Sequence, residues 1–101
     1  MRKLLIASAV AVGTMLGFSG QASAACGTVS IAEMNWASAQ LMANVDKIIL
    51  ESGYGCKVDI VPGDTMPTFT SMNEKGQPDV AGELWVNAVA TPLDAAKAEG
   101  R

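Results

Sequence analysis

The chain has 101 residues, half of them hydrophobic, with no histidine and a formal net charge of −3. Without histidine, a Ser-His-Asp or Cys-His catalytic arrangement and most zinc sites are excluded within this chain. The mildly acidic balance argues against nucleic acid or anionic lipid as a partner, and the glycines at 53, 55, 63, 76 and 82 match neither the dinucleotide fingerprint nor the Walker pattern.

The amino terminus reads as an export signal. Arg2 and Lys3 form a positive n-region, Leu4 to Phe18 is an apolar run broken by Ser8, Gly13, Thr14 and Gly17, and Ala22-Ser23-Ala24 has the small-x-small cleavage pattern. The run is shorter than the ~18 to 20 residues that a spanning helix needs. Residues 1–24 are therefore expected to be a cleaved signal peptide, with a mature chain from Ala25 in the periplasm or another extracytoplasmic space. A lipid anchor on Cys26 is the variant, opposed by Ser23 standing where a branched aliphatic residue is expected. Loss of residues 1–24 removes two basic residues and no acid, which leaves a net charge of −5 on 77 residues.

From Thr28 to Met34 the sequence TVSIAEM alternates β-branched residues and predicts a first strand. Ala37 to Ser52 places Leu41, Val45, Ile48 and Ile49 at helical spacing, with Gly53 positioned to end the helix in a left-handed conformation. Lys57 to Val61 predicts strand two. A turn at Pro62 to Thr65 follows, with Thr65 as the cap of a short helix that carries Pro67 in its first turn and stops at Gly76. Asp79 to Trp85 is a weaker strand softened by Gly82, and Thr91-Pro92-Leu93-Asp94 has the capping-box pattern of a last helix. Alternating strands and helices imply an α/β fold with a parallel βαβαβ sheet. Cys26 and Cys56 then precede adjacent strands at the same sheet edge. In an oxidising compartment they are expected to close a disulfide worth roughly 3.5 kcal/mol on the chain-entropy model. Redox catalysis is the alternative, without a Cys-x-x-Cys or a nearby group to activate a thiol.

Ligands of such sheets sit outside the carboxyl ends of the strands, where strand order reverses. With strand one central, that point lies between strands one and three. Asn35 and Trp36 follow strand one, Trp85 and Asn87 end and follow strand three, and the Gly63–Thr65 turn lies one strand further out. Two indoles at equivalent strand ends suit a small quaternary amine, which cannot donate hydrogen bonds and gains about 0.5 to 2 kcal/mol per ring. Asn35, Asn87 and the amides near Thr65 are candidates to orient a polar group of that ligand. The plainer alternatives are core tryptophans packing helix on sheet and ordinary turn chemistry for the asparagines and Thr65. Glu33 and Glu83, near the same strand ends, form a conceivable glycosidase-like pair, with solvated or helix-covered structural positions as the favoured account. No catalytic set, cofactor or metal site is expected.

The run AEMNWASAQLMANVDKIILESGYGCKVDIVPGDTMPTFTSMNEKGQPDVAGELW, within residues 25–101, resembles the substrate-binding proteins of glycine betaine/proline betaine ABC transporters, related to the choline-binding ones. The resemblance implies the first lobe of a type II periplasmic binding protein fold, a hinge-closing receptor that delivers an osmoprotectant or choline-like compound to a membrane permease. It implies that Trp36 and Trp85 are two members of an aromatic cage, and that the Cys26–Cys56 pair is a disulfide recurring in this subgroup. Family members are several times longer. Residues 25–101 are accordingly expected to be a truncated, amino-terminal part of the first lobe. An exported α/β enzyme with its catalytic residues elsewhere, and a signalling receptor built on the same lobe, are the competing expectations.

Overall fold

The computed structural model describes residues 26–101; the expected signal peptide and its cleavage site lie outside them. Strand β1 (Thr28–Met34), helix α1 (Ala37–Tyr54), strand β2 (Lys57–Gly63), helix α2 (Thr65–Lys75), strand β3 (Val80–Ala81), a 3-10 turn (Val86–Val89) and helix α3 (Ala90–Ala98) follow one another. The sheet has the order β2-β1-β3 with both pairings parallel. This is the expected α/β arrangement, and it is consistent with the first lobe of a type II periplasmic binding fold.

Burial follows from that order. β1 is covered on both faces, so the consecutive residues Ile31 and Ala32 and then Met34 are all buried, the pattern of a central parallel strand. β2 is an edge strand and alternates instead, with Val58 buried between exposed Lys57 and Asp59. One part of the core joins Ile31, Val58 and Cys56 to Ala43 of α1. A second joins Ala32 and Met34 to Ala39, and a third joins Phe69 of α2 to Val89 and Ala96.

The disulfide forms as expected, between Cys26 and Cys56 with their Cα atoms 4.7 Å apart. With its sulfur in that bond, Cys26 has no thiol to carry a thioether lipid.

Four local expectations are corrected. Helix α1 runs two residues past Ser52 and ends at Gly55, whose φ of 68° is left-handed, so Gly53 lies inside the helix. Its sheet-facing residues are the small Ala39 and Ala43, which admit close approach, while Leu41 and Ile48 remain 65% and 63% exposed. The Leu41-Val45-Ile48-Ile49 spacing thus marks a helix correctly but belongs to its outer face. The cap of α2 is Asp64, whose carboxylate accepts from the Thr65 N–H, and Thr65 is the first helical residue. Helix α3 starts at Ala90 without a side-chain cap, so Thr91 lies inside the first turn rather than at its head.

β3 is also shorter than Asp79–Trp85. Ser30 and Asp79 clasp its start: Ser30 N–H and hydroxyl donate to Asp79 Oδ2 at 2.8 and 2.7 Å, and Asp79 N–H donates to Ser30 O at 3.0 Å. Only Val80 and Ala81 pair with β1 before the chain turns at Gly82. That turn places the side chains of the candidate site.

Candidate functional site at the carboxyl ends of β1 and β3

Strand order reverses between β1 and β3. Ile31 lies opposite Val80 and Ala32 opposite Ala81, an offset of 49 residues, which is also the separation of Trp36 and Trp85. β1 ends two residues before Trp36 and β3 four residues before Trp85, so the second indole reaches the first through the turn that starts at Gly82. The ring centroids are 6.1 Å apart and the planes are inclined at 70°.

That geometry defines an inside corner rather than a slot. A cation–π contact needs the charge within about 6 Å of a ring centroid, and two near-perpendicular rings in edge contact leave no gap between them for a trimethylammonium group. The notch where the two planes meet is within reach of both. Trp36 is half-buried and packs against the cluster of Ala32, Met34 and Ala39, whereas Trp85 is 64% exposed. Trp85, Asn87 and their neighbours Leu84, Val86 and Ala88 line an open cleft of about 550 Å³.

Glu83 ties the corner together. Its Oε2 accepts the Trp36 indole N–H at 2.7 Å and the Ser38 hydroxyl at 3.0 Å. Ser38 is the second residue of α1, a helix with no side-chain cap and no acid in its first turn. A carboxylate brought from β3 therefore sits where the positive end of the helix dipole favours it. The Trp36 N–H holds the Glu83 carboxyl below the usual glutamate range; desolvation works against this, and Ser38 and, more weakly, the Trp85 indole add to it. Asp79 is likewise held low, first by the Ser30 N–H and then by its hydroxyl.

A substrate-binding family profile matches residues 27–101, with the description "Substrate binding domain of ABC-type glycine betaine transport system". The chain belongs to this family. The family is a transport binding domain and not an enzyme family, and its substrate-binding proteins work outside the cytoplasm with a transporter permease. Comparison with curated proteins returns no relative.

Within this binding domain the two tryptophans come together as expected, although Trp85 does not end β3 but lies four residues past it, after the turn at Gly82; Asn35 is adjacent to Trp36, and Asn87 lines the cleft beside Trp85. Thr65 stands apart, at the head of α2 beyond β2. Its N–H is taken by Asp64 Oδ1 at 2.7 Å, so that amide is spent on the helix cap and faces a negative charge. Glu33 and Glu83 have separate engagements, Glu33 with the Asn44 amide at 2.8 Å and Glu83 with Trp36 and Ser38. Sequence reasoning placed Glu83 near the crevice and missed its bond to Trp36. Nothing in the linear pattern announces it, because the contact arises from the turn at Gly82.

Proposed function

We propose that this domain captures glycine betaine or a related quaternary ammonium compound, such as proline betaine or choline, in the corner formed by Trp36 and Trp85. It is the extracytoplasmic solute-binding component of an ABC transporter, exported through a signal peptide at residues 1–24, and it hands the bound ligand to the permease without chemical turnover. Residues 25–101 contribute to the first lobe, and Asn35 and Asn87 are the polar groups at hand for the rest of the ligand. The observation that carries this reading is the pair of perpendicular indoles at the switch point of a parallel sheet. A methylated ammonium spreads its charge over apolar methyl groups, so it loses little hydration on leaving water and gains from each electron-rich face. Two rings supply about 1 to 4 kcal/mol, which corresponds to weak binding unless further walls contribute.

The test is a tryptophan fluorescence titration of the chain with choline and with its neutral carbon isostere, 3,3-dimethylbutan-1-ol. A saturable change with choline, far smaller with the isostere and lost in W36A and W85A, is the expected result. Equal responses to the two compounds would show that shape and apolar burial, not charge, fill the corner, and would remove the cation–π basis.

A further inference from the structure

We propose that Glu83 is the positioning and charge-selecting residue of the aromatic corner, fixing the Trp36 ring through its indole N–H and biasing the site toward ligands of net positive charge over zwitterions. The inference rests on the corner being the ligand site, and it assigns the substrate class within that reading: a choline-like cation ahead of a betaine.

Three observations carry it. The first is the clasp itself. An indole swings about its side-chain torsions unless something holds its edge, and the 2.7 Å bond from Trp36 Nε1 to Glu83 Oε2 does so from the turn after β3. Ser38 holds the same oxygen at 3.0 Å, so the carboxylate joins the end of β1, the head of α1 and the turn after β3. Donating an N–H to an anion also pushes electron density into the ring, which makes its face a better partner for a cation.

The second is that the charge is not neutralised. Among the described residues, the ion pairs are Lys47–Glu51, Lys57–Asp59, Lys97–Asp94 and Arg101–Glu99, and Glu83 is in none of them. The remaining described base, Lys75, is in the last turn of α2, the end of that helix away from the crevice.

The third is the sign of the surroundings. An acid of α1, Asp46, reaches within 3.7 Å of where a β-carbon on Gly82 would stand, and on β1 the other acid, Glu33, is bonded to the neutral Asn44 and to no base among the described residues. A trimethylammonium in the notch is drawn by this field. The carboxylate of a betaine, carried on the same small molecule, is repelled by it.

The chain is labelled with ¹⁵N at its indoles, and the Trp36 and Trp85 N–H resonances are followed during titration with choline chloride and with glycine betaine, a readout that works for millimolar affinities. E83Q keeps an acceptor for the Trp36 N–H and removes the charge; E83A removes both. In E83Q the Trp36 resonance is expected to stay dispersed while choline binding weakens about tenfold and betaine binding changes far less. In E83A the Trp36 resonance moves to the position of a free indole and both ligands weaken. If E83Q weakens the two ligands equally, or neither, the charge-selecting role is overturned while the aromatic site stands. If the wild-type indoles respond to neither compound, the site itself is wrong and the assignment of Glu83 falls with it.

Discussion

Gly63 closes β2 with almost no room for a side chain, and replacing it by alanine tests how tightly the strand ends are packed beneath the crevice. A β-carbon there would stand 2.9 Å from Thr68 Oγ1, 3.0 Å from Met34 Sδ and 3.1 Å from Ala32 Cβ. Carbon atoms prefer about 3.5 to 4.0 Å, so each neighbour has to retreat, and all three are buried. Ala32 cannot move without the backbone of the central strand. Thr68 Oγ1 accepts the Asp64 N–H at 3.0 Å, so its movement loosens the turn into α2. Overpacking of this kind costs about 1 to 3 kcal/mol. Gly63 does not have a positive φ, so alanine also restricts the unfolded chain and returns about 0.4 to 1 kcal/mol. The net expectation is a loss of about 1 to 2 kcal/mol, which lowers the urea midpoint by about 1 M or more for a domain of this size. Met34 and Ala32 lead directly into Asn35 and Trp36, so the near-ultraviolet circular dichroism of the coupled indoles should weaken as well. A G63A chain that unfolds at the same urea concentration as the wild type, or a higher one, would refute the packing described.

The other predictions concern the helix end, the cross-link and acid. G53A should raise stability by about 0.5 to 1 kcal/mol because Gly53 is helical with open space around it, whereas G55A should cost about 1 kcal/mol at a left-handed position; thermal melts showing the reverse order would return the helix stop to Gly53. Opening the Cys26–Cys56 bridge, which spans 30 residues, should remove roughly 3.5 kcal/mol, read as a large drop in urea midpoint under reductant and in the C26A/C56A double variant alike. Glu83 and Asp79 both have carboxyls held below their ordinary values, so the stability they contribute is complete above the usual carboxylate range and is lost as pH falls through their lowered folded-state values. Indole circular dichroism should therefore be flat from neutral pH down to that range and decline below it, with the decline smaller in E83Q, where Asp79 alone still titrates of the two; a transition near neutrality would contradict the assignment.

Much of the architecture was legible because it depends on short-range chemistry. The β-branched run of β1, the apolar helical spacing of α1 and the glycine stop of α2 each express a local backbone preference, and their alternation leaves a parallel sheet as the economical solution. The cysteines were paired from their positions before adjacent strands. The two tryptophans were placed at one crevice from the order of the strands, although Trp85 lies past a turn and not at the end of β3 as expected. Where expectations failed, the deciding influence was remote in sequence. Helical spacing fits both faces of α1 equally, and only the sheet shows that the close-packing side is Ala39 and Ala43. Thr65 and Asp64 are neighbours with similar capping ability, and the aspartate is the cap because its backbone is still extended where that of Thr65 is already helical.

The sequence by itself thus determined the order of elements, the disulfide partners and that a tryptophan follows each of β1 and β3, because each follows from local preference or from the alternation of strand and helix. Tertiary structure decided what the carboxylates do. Glu83 becomes the partner of Trp36 only because β3 stops after Val80 and Ala81 and the chain turns at Gly82, carrying the side chain across to the unprotected head of α1. A hydrogen bond between residues 47 positions apart leaves no periodic trace in a linear sequence; it exists when two strands and a helix end converge, and it gives the corner both its rigidity and its charge.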